Sequence, residues 1–324
     1  MDVRQMRYFV AIVEQGSFSR AAAHLHVAQP ALSLHVRNME QDLGTALLFR
    51  SPKGVIPTEA GAILLRHARV ILDQFTIAEE EIRGHESEPA GEVRLGLPGT
   101  ISEILSVPLI TAVHQRYPKI RLRIAEAMSG FVLEWMRGAR IDLAVVYRAI
   151  SDEGLATIHM LDEELVFFGP TGPGALPDLP PAGTGLPLDR VATIPLVVPG
   201  EAHGLRELLD HQARAAGIAL TVGMEVDAYS NIKELVAGGF GHSILPLNAI
   251  RREEAEGRLH HWRISDPVIR RPVHLAVSVE RPMTNATNAV LQLVQEVLRD
   301  LVQNDGWLGA TLQLPDLPQP KKRR

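Results

Sequence analysis

The spacing of apolar residues changes type near residue 92, and this change constrains the fold more than any other feature of the sequence. Before it, apolar residues recur at intervals of three and four, which is typical of helices. From Glu92 onward, short apolar runs alternate with helical patterns, which is typical of strands and helices that follow one another along a chain. The sequence therefore predicts a helix-rich N-terminal part and an α/β body with parallel sheets.

The N-terminal part contains three short helical patterns and a hairpin pattern. The third helix is expected to begin at Gln29, because the proline that follows suits a first helical turn, and to end at Gly44. Ser19 is the expected cap of the second helix. Two apolar segments around a Ser-Pro-Lys-Gly turn predict a hairpin within residues 47–57. A turn between two helices, followed by a hairpin wing, describes a winged helix-turn-helix.

The third helix carries polar side chains opposite its apolar stripe, and this polar face is typical of a DNA-recognition helix. Gln29 and Ser33 stand where they can reach base edges, whereas Arg37 is suited to a phosphate. The other reading is a small protein-binding domain whose polar face is only solvated, but the turn, the wing and the long helix together favour DNA. The side chains expected to meet DNA are Gln29, Pro30, Ser33, Leu34, Arg37, Arg50 and Lys53.

The distribution of charge is compatible with this reading. The chain has a net charge of −5, so no overall positive field marks it as a nucleic-acid binder. Residues 1–57, however, hold six basic and four acidic side chains, whereas residues 58–90 hold three arginines and seven acids. A modestly positive head on an acidic body is what a module docking on DNA shows, because only the docking face meets phosphates.

A long helix is predicted over residues 58–84, with Thr58 as its cap. Its apolar residues, which include Ile63, Ile71, Phe75 and Ile82, form a face too large for a helix that stands alone. The simplest partner for such a face is the same helix in a second copy of the chain. The polar segment that follows, with Pro89, is expected to be a linker.

Several motifs, in this order, resemble those of LysR-type transcriptional regulators. The head contributes Gly16-Ser17-Phe18-Ser19-Arg20-Ala21-Ala22, Val27-Ala28-Gln29-Pro30-Ala31-Leu32-Ser33, Leu48-Phe49-Arg50 and Pro57-Thr58-Glu59-Ala60-Gly61. The second half contributes Ile141-Asp142-Leu143-Ala144-Val145, Asp162-Glu163-Glu164-Leu165 and Leu235-Val236-Ala237-Gly238-Gly239-Phe240-Gly241. The resemblance covers about residues 1–302, and the effector half is most similar to the branch of nitrogen assimilation control and aromatic-sulfonate regulators.

The resemblance implies a domain organisation. We expect an all-α-rich winged helix-turn-helix at 1–57, a dimerising linker helix and hinge at 58–90, and an effector-binding domain at 91–302. That domain would have the fold of a periplasmic binding protein, with α/β subdomains at 91–164 plus 269–302 and at 165–268. Residues 303–324 are expected to be a disordered tail. Two positions depart from the family: Leu34 stands where an arginine is common, and Ala28 where a serine or threonine cap is usual.

Several loops of the body are candidates for a ligand site. In open α/β sheets, ligands lie beyond the carboxyl ends of strands, and the N-terminus of a helix there favours an anion. Each hydroxyl taken singly could equally be a helix cap, but the loops can converge on one ligand from both sides of a cleft. The expected effector-binding residues are Gly99, Thr100, Ser102, Ser129, His203 and Tyr229.

The function this implies is that of a ligand-responsive, cytoplasmic transcriptional regulator and not of an enzyme. Its expected partners are double-stranded DNA, a small organic anion, and further copies of itself. Homodimers would form through the 58–84 helix and associate into tetramers whose geometry and DNA bending respond to the ligand. RNA polymerase remains open as a further partner, and we expect no cofactor, metal or membrane.

Other functions fit the sequence less well. The chain has no cysteine, which excludes disulfides, thiolate metal sites and a cysteine nucleophile. We find no G-x-S-x-G, H-E-x-x-H or P-loop motif, and no apolar run near the ~18 residues of a membrane span. The alternative is an α/β enzyme acting on a small organic acid with an appended DNA-binding head. A solute-binding protein is disfavoured by that head and by the lack of an export signal at the N-terminus.

Overall fold

The structure is a computed structural model that describes residues 1–51, 54–83, 88–127, 129–150, 154–281 and 283–314. The N-terminal head contains the predicted helices and wing: α1 (Val3–Gln15), α2 (Phe18–Leu25), α3 (Gln29–Leu43), β1 (Leu48–Ser51) and β2 (Gly54–Pro57). One detail of the prediction is wrong. Ser17 and not Ser19 caps α2, because its hydroxyl accepts from the Arg20 amide at 3.5 Å.

The wing is fixed against the turn between α1 and α2. The Val55 amide donates to the Gly16 carbonyl at 3.0 Å. A Cβ at Gly54 would lie 2.8 Å from that same carbonyl oxygen, and Gly54 has a φ of +131°. Glycine is therefore required at this position by both space and backbone conformation. The close approach holds the wing beside the helices of the head.

The long helix α4 (Glu59–Arg83) follows the wing directly. Thr58 is its cap, as predicted, because the Thr58 hydroxyl accepts from the Gly61 amide at 3.0 Å. The same hydroxyl donates to the Ala46 carbonyl at 2.7 Å, which ties the start of α4 to the head. The helix therefore leaves the head in a fixed direction.

Each subdomain of the effector domain has its own large apolar core, and the first subdomain has a second, smaller core that includes Val132, Met136 and Ala276. The elements of the first subdomain are β3 (Gly91–Leu97), α5 (Gly99–Arg116), β4 (Ile120–Glu126), α6 (Ser129–Arg137), β5 (Leu143–Val146) and α11 (Asn285–Gln303). Those of the second are β7 (Gly185–Pro187), α7 (Leu188–Ala192), β8 (Leu196–Val198), α8 (Gly204–Ala215), β9 (Val222–Glu225), α9 (Tyr229–Ala237), β10 (Ser243–Pro246), a 3-10 helix (Leu247–Ile250), α10 (Arg251–Ala255) and β11 (Leu259–Ser265).

Two strands join the subdomains: β6 (Leu155–Pro170) and β12 (Arg270–Ser278). The first part of β6 pairs with β12, and its last part pairs with β10 and β11. The order along the sheet is β4-β3-β5-β12-β6-β11-β7. The expectation of parallel sheets is only partly right. β3 is parallel to β4 and β5, whereas β12 and β6 run antiparallel to their neighbours because the chain crosses between subdomains on them.

The end of the chain corrects a second expectation. Residues 303–314 are not a disordered tail: the Trp307 side chain is 1% exposed, and β13 (Ala310–Leu312) pairs with β6. A large buried indole and a strand pairing supply the contacts that a disordered tail lacks. Residues 315–324 lie outside the described residues, as does the basic cluster at 321–324. Over the described part of the chain, each helix is too short or too polar to cross a bilayer.

Candidate DNA-binding surface and effector site

The outward face of α3 carries the side chains predicted to read DNA. Gln29, Pro30, Leu34 and Arg37 are exposed and Ser33 is half-buried, whereas Leu32, Val36 and Met39 are buried in the head. The Leu34 side chain is 54% exposed, a large apolar group facing water on the surface expected to meet DNA. A leucine at this place can contact a thymine methyl group but cannot pair with a guanine as arginine does.

The start of α3 presents a preformed pair of polar groups. The Gln29 side-chain amide donates to the Ser33 hydroxyl at 3.0 Å, one helical turn away. Ala28, the residue before the helix, provides no side-chain cap. The first amides of α3 are therefore free of side-chain capping, and such groups are suited to a phosphate.

The wing residues differ in what the structure shows of them. The Arg50 guanidinium lies 3.5 Å from Glu40 Oε2 and 4.9 Å from the centre of the Phe18 ring. Arg50 is therefore held by the head itself and is not a free arm, although its side chain stays partly exposed. Lys53 lies outside the described residues.

The first candidate effector residues lie at the start of α5. Gly99 and Thr100 are the first two residues of this helix, and Pro98 before them provides no side-chain cap. Thr100 is thus inside the helix and is not its cap. Its hydroxyl bonds the phenol of Tyr147, which follows β5. The exposed carboxylate of Glu126 lies nearby, 3.1 Å from the position that a Cβ would take at Gly99.

Arg271 connects this helix start to the second subdomain. Its guanidinium carbon lies 3.1 Å from the centre of the Tyr147 ring, and its Nη1 donates to the Tyr229 hydroxyl at 3.4 Å. Burial raises the pKa of both tyrosines, so their hydroxyls stay protonated at neutral pH. The contacts place a fixed positive charge between two phenols at the junction of the subdomains.

His203 completes the cluster from the second subdomain. Its Nδ1 accepts from the Leu205 amide at 3.1 Å and so caps α8, while its ring lies 5.5 Å from the Tyr229 ring, centre to centre. Burial, together with the charge of Arg271, lowers the pKa of His203. A neutral imidazole agrees with a ring nitrogen that accepts a hydrogen bond. We call Thr100, Tyr147, Arg271, Tyr229 and His203 the effector cluster.

The Arg271 side chain is 3% exposed and is incompletely satisfied by the rest of the described chain. Its Nη1 lies 3.6 Å from Glu163 Oε1, which is beyond hydrogen-bond distance, and its Nε has no hydrogen-bond partner among the described residues. Glu163 Oε1 is likewise without one. Burial raises the pKa of Glu163 to about 7, against the opposing effect of Arg271. Buried groups of this kind are uncommon and require an explanation.

Of the remaining predicted effector residues, Ser102 bonds outside the cluster, and the Ser129 side chain is not described. The Ser102 hydroxyl bonds Ser106 at 3.0 Å, one turn further along α5. Ser129 begins α6, but its side chain is outside what the structure describes. Of the six residues predicted, the described contacts thus unite Thr100, His203 and Tyr229, with Gly99 beside Thr100 at the start of α5.

The comparisons with known proteins agree with this architecture. Residues 3–62 match the model of the bacterial regulatory helix-turn-helix proteins of the lysR family, and residues 86–299 match the LysR substrate binding domain. The nitrogen assimilation regulatory protein nac of Klebsiella aerogenes is 30% identical over 97% of this chain and 99% of its own. The dual regulator OxyR of Escherichia coli (strain K12) is 26% identical over 92% of this chain and 95% of its own.

The chain belongs to the LysR family. It has both the helix-turn-helix domain and the substrate-binding domain of these DNA-binding transcriptional regulators. Among solved structures, a full-length OxyR variant from Pseudomonas aeruginosa matches with a TM-score of 0.79 at 23% identity, covering 97% of this chain and 99% of that one. CbnR in complex with its target DNA matches with a TM-score of 0.53 at 22% identity, covering 92% and 100%. These two likenesses show the fold.

Sequence reasoning missed three residues of this LysR-family chain: Tyr147, Glu163 and Arg271. Glu163 falls within a quoted family motif, and Arg271 opens an apolar strand with an adjacent arginine. A charged residue at the start of a buried strand indicates a possible functional residue, but the sequence does not show which loop that residue will contact. The Arg271 contacts depend on β12 lying between β5 and β6, a pairing that the sequence pattern does not specify.

Proposed function

We propose that this protein is a ligand-responsive transcriptional regulator in which α3 reads a promoter site and the cleft between subdomains binds a small organic anion. The single observation that supports the ligand part is the effector cluster. It joins α5 and the end of β5 in the first subdomain to α8 and α9 in the second through Arg271. A ligand at this place would contact both subdomains and thereby alter the angle between them.

The chemistry of the cluster favours an anion. Arg271 supplies a permanent positive charge with an Nε that is free to donate, and the two phenols stay protonated and can also donate. The start of α5 adds the partial positive charge of a helix N-terminus. Glu126 is the opposing group, because its carboxylate lies beside Gly99. We therefore expect Glu126→Gln to tighten the binding of an anion and Arg271→Gln to weaken it.

We further propose that two copies associate through α4 and that two such dimers form a tetramer. The side chains of Ile63, Ile71, Phe75 and Ile82 stay exposed on α4 in the single chain. An apolar face of this length is costly in water and is covered by a copy of the same helix. A dimer places two α3 helices on a dyad-related site, and a change between dimers would alter DNA bending.

We propose binding and not catalysis as the activity of the cleft, in the cytoplasm where the chromosomal target lies. The effector cluster offers a guanidinium, protonated phenols and a capping imidazole, which are groups that hold an anion. His203, the one side chain there suited to act as a general base, already uses its Nδ1 to cap α8. Turnover of a small carboxylic acid by the purified protein would contradict this and favour the enzyme alternative.

The experiment begins with a thermal-shift screen of small carboxylates and sulfonates against the full-length protein. Calorimetry with the best stabilising anion then compares the parent with Thr100→Val and with Ser102→Ala, a matched control from the same helix. We expect Thr100→Val to lose ligand binding while keeping DNA affinity, and Ser102→Ala to keep both. Unaltered anion binding in Thr100→Val would reject the assignment of the cleft.

The coupling to DNA is tested separately by footprinting with and without that anion. A ligand changes the arrangement of the dimers only if it binds two arrangements with different affinity. The expected result is a footprint whose extent or hypersensitive positions change at saturation. A footprint that is identical at saturating anion would reject the coupling, while leaving the binding site itself in place.

A further inference from the structure

Six charged side chains meet where the head and α4 contact the effector domain. Glu14 of α1 lies with its Oε1 2.9 Å from Nη2 of Arg69, which is on α4. The same oxygen lies 3.8 Å from Nη1 of Arg94, which belongs to the effector domain. Arg69 also donates to the Gly138 carbonyl at 3.3 Å. We call the whole set the ionic latch: Glu14, Arg69, Asp73, Arg94, Asp142 and Arg281.

The other half of the ionic latch is centred on Asp142. Asp142 Oδ1 lies 2.8 Å from Arg94 Nη2 and 3.7 Å from Arg281 Nη1. Arg281 Nη1 in turn lies 3.5 Å from Asp73 on α4, and its Nη2 donates to the Ile141 carbonyl at 3.0 Å. The set thus connects α1 and α4 to three segments of the first subdomain: β3, the residues just before β5, and the residues just after β12.

The ionic latch differs from an ordinary surface ion pair in its burial. The Arg69 side chain is 8% exposed and Arg281 10%, whereas Arg116, in a pair with Glu296, is 55% exposed. Burial, together with the neighbouring Asp142, raises the pKa of Asp73. A buried charge that loses its partner is left uncompensated, which is costly. Intermediate arrangements that break only some of these pairs are therefore disfavoured, and the head and α4 are either held against the effector domain or released from it.

The strands that carry the ionic latch also carry the effector cluster, at their opposite ends. Arg94 lies on β3, which ends just before Thr100, and Asp142 precedes β5, which ends just before Tyr147. β12 begins with Arg270 and Arg271 and ends at Ser278, whose hydroxyl accepts from the Arg281 amide at 3.3 Å. These strands are neighbours in the order β3-β5-β12. A shift of one strand therefore reaches both sites.

We infer that the ionic latch holds the DNA-binding head and α4 against the effector domain, and that strands β3, β5 and β12 couple it to the effector cluster. The first part stands on the contacts alone, and the second rests on the proposed function of the cleft. Movement of Thr100, Tyr147 and Arg271 around a ligand would displace Arg94, Asp142 and Arg281 relative to Glu14, Arg69 and Asp73. The coupling is reciprocal, because two sites that bias one equilibrium affect each other equally.

The absence of cysteine from the sequence makes a direct test practical. Spin labels at Thr45→Cys on the head and Arg123→Cys on β4, both exposed positions, report the distance between the two parts. Diluting the labelled protein with an excess of unlabelled chain restricts the measurement to one chain. In the ligand-free parent we expect a single narrow distance distribution by pulsed electron spin resonance.

Asp73→Asn and Glu14→Gln remove charges from the ionic latch without touching the core of the effector domain. We expect each to broaden the distribution and add a longer distance, and the double variant to do so most. Glu296→Gln is the matched control, since it breaks an exposed pair between α11 and α5. A distribution that stays narrow and unmoved in the double variant, with circular dichroism unchanged, overturns the ionic latch.

The coupling is tested by Arg271→Gln and, as a second variant, Thr100→Val in the same labelled background. We expect both to shift the label distance without any added ligand. If Asp73→Asn moves the labels and neither cluster variant does, the coupling through the strands is overturned. Failure of the proposed anion site would instead show in calorimetry and would leave the response to Asp73→Asn unchanged, so the two failures are distinguishable.

Discussion

The α3 surface predicted to read DNA and the effector cluster are built in opposite ways. The α3 side chains predicted to read DNA lie on the outward face of a single helix, between Gln29 and Arg37, where they are exposed or half-buried. The effector cluster collects residues from five separate elements or loops, and Arg271 at its centre is buried. Substitutions on the α3 surface should therefore have little effect on folding, whereas substitutions in the effector cluster also remove contacts that stabilise the domain.

The largest expected effect follows from the burial of Arg271. Arg271→Met leaves Glu163 without its counter-charge, and breaking a buried pair costs about 3–5 kcal/mol of unfolding free energy. The double variant Arg271→Met/Glu163→Gln removes both charges and should recover much of that loss. Urea unfolding at pH 8 measures both. Equal destabilisation by the single and the double variant would show that the pair is not the source of the loss.

The same contrast explains what the sequence could predict. The helices, the wing and the surface of α3 follow from local spacing, because a helix fixes which residues share a face. Thr100, His203 and Tyr229 were within reach, since each stands at or just before the start of a helix that follows a strand. Arg271, Tyr147 and Glu163 were not, because their contacts depend on antiparallel pairings of β12 between distant segments. Burial of Trp307 depends likewise on a strand pairing at the chain end.

For α3, the expected loss is in DNA recognition and not in stability. Gln29→Ala or Ser33→Ala should weaken the cognate site by about 1–3 kcal/mol, and random DNA by much less, because base contacts carry specificity. Since the two side chains are hydrogen-bonded, the double variant should cost less than the sum of the singles. Gln41→Ala, an exposed glutamine at the far end of α3, is the control in mobility-shift titrations.

Equal weakening of cognate and random DNA by Gln29→Ala would mean that this side chain does not read bases. In that case Gln29 would contribute to DNA affinity but not to sequence recognition, and the α3 surface would bind DNA through its phosphates alone. The unfolding free energy of the Gln29→Ala variant should stay within about 0.5 kcal/mol of the parent in either case, as expected for an exposed position.

Glu163, which lies beside Arg271 of the effector cluster, gives the domain a pH-dependent stability. Because burial raises its folded-state pKa to about 7, above the unfolded value, the folded chain binds the extra proton and loses stability as pH rises from about 4.5 to 7. Glu163→Gln removes this loss. The difference in stability between the variant and the parent should be constant below about pH 4 and should then shift in favour of the variant as pH rises to 8, by about 1.4 kcal/mol for each unit by which the folded pKa exceeds the unfolded one.

Thermal unfolding across that pH range measures the difference, with Glu126→Gln, an exposed carboxylate in the same domain, as the control. If attraction to Arg271 outweighed burial, Glu163→Gln would instead become the less stable chain as pH rises. A difference between variant and parent that did not change with pH would mean that Glu163 does not titrate in this range.

The smallest change in unfolding free energy is expected for substitution of Arg116. Comparing it with Arg271 tests whether burial, and not the distance between the charges, sets the energy of an ion pair. Arg116 lies 2.6 Å from Glu296, closer than any ion pair of Arg271, yet both side chains are exposed. Exposed pairs contribute about 0.2–1 kcal/mol, since water competes with the partner and salt screens the charge. Arg116→Gln should therefore change the unfolding free energy by less than a third of the Arg271→Met effect. A loss at Arg116 equal to that at Arg271 would show that distance alone sets the energy of these pairs.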